Sequence, residues 1–292
     1  MGLTVGTAPF GGRPGGVFNG DLAPPDHLLY FEDSPRRVRL VFAGQTVADS
    51  SRVKLLHETG RVPCYYIPVD DVCWDMLEPS AKVTRCSAKG AATYWSLAVD
   101  GRRAEDAVWA YEQPLVTASW LTGYCSFVWD AVDAWYEEDE QIFGHPKDPY
   151  HRIDILASSR HVRVRHGGVL LAESRRPMLL FETGLPERYY LPAEDVRTDL
   201  LEPSDTHTRC PYKGVASYYS VRTAGGLLTD LVWYYPDPTP EAGRIGGLVC
   251  FYNERVELEV GPGGSAARGA RSRGPDVRAK NPDVRSFNRD QR

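Results

Sequence analysis

No two cysteines in this 292-residue chain form a C-x-x-C pair; the six stand at 64, 73, 86, 125, 210 and 250. Neither a zinc ribbon nor a thioredoxin-type redox motif is therefore written here. Long apolar runs are missing as well, with nothing approaching the roughly 18–20 residues of a membrane span. Residues 1–20 are rich in glycine and lack the charged and then apolar regions of an export signal. These absences predict a cytoplasmic protein whose thiols stay reduced and mostly buried. Strong charge of one sign is lacking too. A net charge of −5 and a pI near 5.8 give no general attraction to nucleic acid or acidic lipid.

What is present is an ordinary globular composition, 42% hydrophobic and 25% charged, long enough for one large domain or two of typical size. Most of the aromatic surface carries a polar handle, with 16 Tyr and 7 Trp against 9 Phe. Such residues seek a hydrogen-bond partner when buried and suit half-wet pockets. Charge is unevenly spread: residues 261–292 hold eight Lys and Arg against three Asp and Glu. Their Gly-Pro-Gly-Gly-Ser start and the Pro-Asp-Val-Arg repeated at Pro275 and Pro282 predict a disordered basic tail. That tail reads as a solvated segment or as a weak tether for an anionic partner.

The most specific signal is an internal repeat. Leu77-Glu78-Pro79-Ser80 recurs as Leu201-Glu202-Pro203-Ser204, an offset of 124 (201 − 77). The same offset carries Thr84-Arg85-Cys86 onto Thr208-Arg209-Cys210, Lys89-Gly90 onto Lys213-Gly214, Tyr65-Tyr66 onto Tyr189-Tyr190 and Trp109 onto Trp233. One register without gaps runs from Pro25/Pro149 to Val132/Val256, with roughly four positions in ten identical. A period of that length is a domain rather than a solenoid unit. The expected organisation is a flexible N-terminal segment 1–24, a first domain 25–136, a linker 137–148, a second domain 149–260 and the tail 261–292. The linker's acidic run Glu137-Glu138-Asp139-Glu140, with Pro146 and Pro149 behind it, is expected not to continue a packed strand.

Within a unit, apolar residues alternate in short runs separated by turn residues. Val38-Arg39-Leu40-Val41-Phe42 leads through Ala43-Gly44 to Val47-Ala48, and Val162-Arg163-Val164-Arg165 leads through Gly167-Gly168 to Leu170-Leu171, so both read as hairpins. Further strands are expected at 54–58, 65–68, 83–86, 92–99, 106–111 and 124–129, with counterparts 124 residues later. Asp70-Asp71-Val72-Cys73-Trp74 and Glu194-Asp195-Val196, each behind a proline, predict one helical turn. No sustained 3.6-residue period appears elsewhere. The fold class is therefore all-β, two tandem copies of a small barrel or sandwich of about eight short strands.

The ordered series Tyr189-Tyr190-Leu191-Pro192, Asp195-Val196, Leu201-Glu202-Pro203-Ser204, Thr208 to Tyr219, then Asp230, Trp233 and Pro238 resembles the bacterial family called domain of unknown function 427. Both copies resemble it, over about residues 25–260. The first departs at Ser87, Ala88 and Trp95, where the second has Pro211, Tyr212 and Tyr219. The resemblance implies a β-tent-like fold, similar in architecture to the thalidomide-binding domain of cereblon and to methionine-R-sulfoxide reductases. Those relatives commonly hold zinc through paired cysteines, which this chain lacks. No metal or organic cofactor is expected, because each unit has one repeat-matched Cys and one repeat-matched His, and His27 lies 59 residues before Cys86 (86 − 27). A nucleotidyltransferase label also attaches to the family. Polymerase-type transfer needs carboxylates at alternating strand positions to hold two magnesium ions, whereas Asp70 and Asp71 are adjacent.

The cluster Thr-Arg-Cys-x-x-Lys-Gly-x-Ala-x-Tyr is the strongest candidate for chemistry. Strand alternation turns Thr208 and Cys210 to one face and Arg209 to the other, ahead of a turn whose glycine permits positive φ. Cys86 and Cys210 read either as small core residues or as thiolates activated by a neighbouring Lys or Arg. Lys89 and Lys213 read as exposed turn lysines or as ligand contacts. Arg39, Arg163, Glu78 and Glu202 read as structural salt bridges or as the lining of a polar cleft. His27 and His151 are expected to cap a domain edge. Tyr66, Tyr94, Trp109, Tyr111 and their counterparts suit either the core or a pocket.

Polar and aromatic residues kept at equivalent places point to a small-molecule binder, or an enzyme acting on a small organic substrate. Its pockets would comprise Tyr66, Arg85, Lys89, Tyr94 and Trp109 in one unit, and Tyr190, Arg209, Lys213, Tyr218 and Trp233 in the other. Cys86, Lys89, Cys210 and Lys213 are the candidates for any catalytic step. The alternative is a structural or interaction module whose acidic body and basic tail dock partners; nucleotidyl transfer is weaker still. Neither a specific nucleic acid nor a membrane is an expected partner. The two units are expected to pack on each other or to swap edge strands through residues 152–156.

Overall fold

The computed structural model describes residues 2–16, 19 and 27–262. Its first unit runs through β1 (Leu29–Asp33), β2 (Val38–Phe42), β3 (Gln45–Ser50), β4 (Lys54–Glu58), β5 (Cys64–Pro68), β6 (Leu77–Cys86), β7 (Gly90–Val99), β8 (Arg102–Ala110), β9 (Tyr124–Phe127), β10 (Ala134–Glu137) and β11 (Glu140–Ile142). The second runs through β12 (Ile153–Ala157), β13 (His161–His166), β14 (Val169–Ser174), β15 (Met178–Glu182), β16 (Arg188–Pro192), β17 (Leu201–Cys210), β18 (Gly214–Thr223), β19 (Gly226–Tyr234), β20 (Leu248–Phe251) and β21 (Glu257–Gly261). Each unit has a seven-stranded sheet, ordered β1-β4-β5-β9-β8-β7-β6 and β12-β15-β16-β20-β19-β18-β17. The two orders correspond strand for strand. A smaller sheet, β11-β10-β2-β3 or β14-β13-β21, packs on one face. The protein is thus two tandem β domains, with eleven and ten strands among the described residues rather than about eight.

Both hairpins expected from the alternating runs are present. In β2 the side chains of Val38, Leu40 and Phe42 are buried while their neighbours are less so. Ala43 and Gly44 both have positive φ, as do Gly167 and Gly168, and this mirror-image turn follows the right-handed twist of the flanking strands. The prolines also give single 3-10 turns, at Val69–Asp71 and Ala193–Asp195.

The large sheet is buried on both faces, and strand alternation decides which residue goes where. On β16, Tyr189 and Leu191 enter the core beneath the small sheet, whereas Tyr190 points to the opposite side. There a short 3-10 segment, Pro240–Ile245, covers it with Ala242 and Ile245. In the first unit Tyr65 and Ile67 face the main core and Tyr66 faces Ala118 and Leu121 of Val116–Leu121. Each unit therefore has a second, tyrosine-rich layer away from its small sheet.

Several sequence expectations give way. Residues 137–148 are no plain linker, because β11 folds back on β10 through Glu138 at φ 52. Two of its four acids are compensated: Glu137 accepts from the Tyr65 hydroxyl and meets Arg36, and Glu138 accepts from Arg37 N. The N-terminal segment is not loose over residues 2–16. Gly60 N donates to Thr4 O, Thr7 N donates to Gly184 O, and Gly2 N donates to Asp148 Oδ2, so this segment bridges equivalent turns of the two units. Leu-Glu-Pro-Ser lies inside β6 and β17, with a bulge after it. Proline is tolerated there because both strands are sheet edges. Residues 152–156 do not cross over, since β12 pairs with β15 of its own unit. Gly261 still pairs with His161, and the basic tail beyond Pro262 lies outside the described residues. Among the described residues no helix is long and apolar enough to cross a membrane.

Candidate functional site

The Lys-Gly turn places the site. Gly214 and Gly90 have φ near +103 and +104, a region that side chains oppose. A Cβ on Gly214 would stand 3.0 Å from the Asp237 carbonyl oxygen. Glycine thus lets the turn close on the next loop, where Thr239 N donates to Lys213 O at 3.1 Å and Leu115 N to Lys89 O at 3.0 Å. Held this way, the lysine side chains turn inward. Lys89 and Lys213 are buried, 6% and 8% exposed, which corrects the exposed-turn reading.

Each ammonium meets a carboxylate. Lys213 Nζ donates to Glu182 Oε2 at 2.6 Å, and Glu182 Oε1 lies 3.1 Å from His151 Nε2. Lys89 donates to Glu58, whose other oxygen lies 2.8 Å from His27 Nε2. A His–Glu–Lys triad therefore occupies the same three positions of both units, and the histidines do more than cap an edge. Burial alone would raise the Glu182 carboxyl; the hydrogen bonds and charges of His151 and Lys213 outweigh it and hold it at about 2. Glu58 and Glu182 escaped the sequence reading although they share the repeat offset.

Beside Lys213 and Glu182 opens a cavity of about 200 Å³. Tyr190, Tyr218, Trp233, Tyr235 and Tyr252 form most of its wall, completed by Leu180, Leu185 and Arg188. Trp233 Nε1 donates to the Tyr190 hydroxyl at 3.0 Å, and the Tyr218 hydroxyl shares a 2.8 Å hydrogen bond with Thr208. The Tyr235 hydroxyl has no partner among the described residues. Burial pushes its pKa up, which keeps it a proton donor. Seven of the ten lining positions hold the same residue in the first unit: Leu56, Glu58, Tyr66, Lys89, Tyr94, Trp109 and Tyr111. The three exceptions are Leu185, Arg188 and Tyr252, opposite Arg61, Cys64 and Val128.

Of the residues singled out from sequence, Tyr190, Lys213, Tyr218, Trp233 and Tyr235 line this cavity. Tyr66, Tyr94 and Trp109 gather in the corresponding aromatic cluster of the first unit, with Cys86 at its border. Arg85 and Arg209 do not join them. Both are exposed, turned away by the strand alternation, and the Arg209 guanidinium lies 4.7 Å over the Phe143 ring. Cys86 and Cys210 are half-buried; the ammonium groups that were to activate them are engaged by Glu58 and Glu182. The remaining charges form surface pairs in other combinations: Glu78 with Arg103, Glu202 with Arg222 and Arg163 with Glu173, while Arg39 lies over Tyr136. Among the described residues no group of three or more His, Cys, Asp or Glu is placed to hold a metal ion.

A family model described as a domain of unknown function (DUF427) matches residues 30–138 and again 154–261. No curated protein matches the chain.

Proposed function

The chain belongs to the domain of unknown function 427 family in each of its units, and from that premise we propose that it binds a small organic molecule in the aromatic cavity of the second unit, with a related site in the first. One observation carries this reading. Seven of the ten lining positions are kept between the units, against roughly four in ten along the whole register. Packing accounts for retained Leu and Tyr but not for Lys213–Glu182, since a buried ion pair is often no more stable than apolar residues of the same volume. A concave aromatic wall with a few convergent polar groups is the usual form of a small-molecule site.

In this reading the ligand stacks on Trp233 and Tyr252 and accepts hydrogen bonds from Tyr235 and Lys213. The space would hold about seven waters, which suits a molecule of one ring. Thermal-shift screening of single-ring metabolites, followed by calorimetry, tests the assignment. For a true ligand, Trp233→Leu and Tyr235→Phe are each expected to weaken binding about tenfold. A hit indifferent to both places the ligand elsewhere and overturns the reading.

A further inference from the structure

Two of the three lining differences between the units relocate an arginine. The first unit has Arg61, 70% exposed, with Nε 3.3 Å from Glu58 Oε1. The second has Leu185 there and carries Arg188 instead, at the place of Cys64. Arg188 is only 19% exposed, and its guanidinium lies 5.5 Å over the Trp233 ring. Its two Nη atoms grip Glu254, Nη1 to Oε2 and Nη2 to Oε1, both at 2.9 Å. Glu254 is 52% exposed and stands outside the cavity lining. Arg188 thus contributes to the wall while its charge is met by a surface carboxylate that water can also reach. The lining itself holds two cations, Arg188 and Lys213, against one carboxylate, Glu182, already bound by Lys213 and His151.

We propose that the cavity of the second unit selects a single-ring aromatic acid bound as its carboxylate, and that Arg188 is the residue that reads the acid group. The proposal rests on the cavity being the ligand site. A guanidinium fork matches a carboxylate in two parallel hydrogen bonds, the arrangement Glu254 already makes. Ligand carboxylate replaces Glu254 on Arg188, the ring stacks among Trp233 and Tyr252, and a polar substituent reaches Tyr235 or Lys213. Glu254 is then an internal competitor, holding Arg188 neutralised while the cavity is empty. The first unit has Cys64 and Val128 at the Arg188 and Tyr252 positions, so it lacks the acid reader and the second ring wall.

Calorimetric titration of the full chain with benzoate and 4-hydroxybenzoate, beside the uncharged benzamide, is the test. The acids are expected to bind at least about tenfold more tightly than benzamide. Arg188→Met brings acid and amide to the same affinity, because both share the wall that Arg188 completes and only the acid uses its charge. Glu254→Gln keeps the fold of the rim but withdraws the competing charge, so it tightens acid binding severalfold. If Arg188–Glu254 were only a structural clasp, both variants would weaken every ligand alike, and that result overturns the proposal. Equal affinity for acid and amide overturns it as well. Should neither acid bind while an uncharged ring compound binds and is lost on Tyr235→Phe, the acid selectivity fails and the cavity reading stands. If no compound responds to Tyr235→Phe or Trp233→Leu, the cavity reading itself fails.

Discussion

The two units place an identical triad in unlike surroundings. His27 is 40% exposed, whereas the His151 side chain is fully buried. One contributor is Tyr212, whose ring lies 4.2 Å from His151, where the first unit has Ala88. Tyr212 is fixed in turn by Asp148, whose backbone N donates to its hydroxyl at 2.6 Å. The layer above the triad differs too. Phe31 stacks on Trp120 at 4.7 Å in the first unit, where the second has Ile155 and Arg244. Duplication preserved the frame and the polar centre, and the substitutions changed how far water reaches that centre. Since the worth of a charged pair depends on its desolvation, the same three residues carry different energetic weight in the two copies.

The largest expected effect follows from that difference. Glu182→Ala leaves Lys213 buried without its counter-charge and His151 Nε2 without its partner, and is expected to cost about 3–5 kcal/mol. Glu58→Ala strands the buried Lys89 in the same way but lets His27 and Arg61 turn to water, so it should cost less. Urea unfolding of the two variants, followed by tryptophan fluorescence, measures the contrast, and equal losses would break it. Acid sharpens it. Glu182 is held at about 2 against an ordinary 4.5, so its stabilisation is present above about pH 4.5 and disappears as pH falls through 2. That amounts to about 3 kcal/mol, and Glu182→Gln should abolish this acid limb.

Why the fold could be read from the sequence, and the triad could not, is a matter of range. Period-two alternation and the Ala43-Gly44 and Gly167-Gly168 turns act between neighbours, so β2 and β13 and their hairpins were legible. The fixed offset then made the duplication plain. By contrast β11, Glu-Gln-Ile, has too little apolar surface to declare itself and exists because β10 offers an open edge. Lys213 looks like an exposed turn residue because its counter-charge lies 31 residues away, on β15. Arg209 illustrates the converse, being kept in both units yet facing outward. The missed clue was a carboxylate repeated at the end of two short strands that each carry a leucine pair, Leu55-Leu56-His57-Glu58 and Leu179-Leu180-Phe181-Glu182. A charge retained in such a setting calls for a buried partner.

A smaller effect separates the units at their junction. His57 is fully buried in the first unit, with Nε2 2.8 Å from Glu32 Oε1 and Nδ1 3.6 Å from Asp148 Oδ2. Tyr150 donates to the other Glu32 oxygen at 2.8 Å and sets its ring against His57, as does Tyr30. The second unit has Leu156 and Phe181 at the Glu32 and His57 positions, 52% and 38% exposed. Burial opposes charge on His57, but the hydrogen bonds and charges of Asp148 and Glu32 prevail and raise its pKa. Its stabilisation is therefore complete below about pH 6.5 and is lost as pH rises through the raised value. His57→Phe, which gives the first unit the residue of the second, should flatten the fall of melting temperature on the alkaline side. An unchanged slope would show that other groups set it.

The smallest effect concerns the outer edges. Arg103 joins Glu78 and Glu105 on the first unit, while on the second Leu227 holds the Arg103 position and Arg222, across the ladder from it, meets Glu202 alone. All five groups lie at the surface, where water and salt screen such pairs. Arg103→Ala should thus move the unfolding midpoint barely more than Arg222→Ala, and both shifts should vanish at high salt. What these charges protect is a different property. Glu78 and Glu202 lie on β6 and β17, the open edges of the large sheets, and charge on an edge strand discourages pairing with another chain. Removing both arginines leaves the acids repelling one another and keeps the edge closed, whereas Glu78→Val with Glu202→Val removes the guard. Light scattering on heating should show association for the valine pair and little for the arginine pair; the reverse order would assign the protection to the arginines.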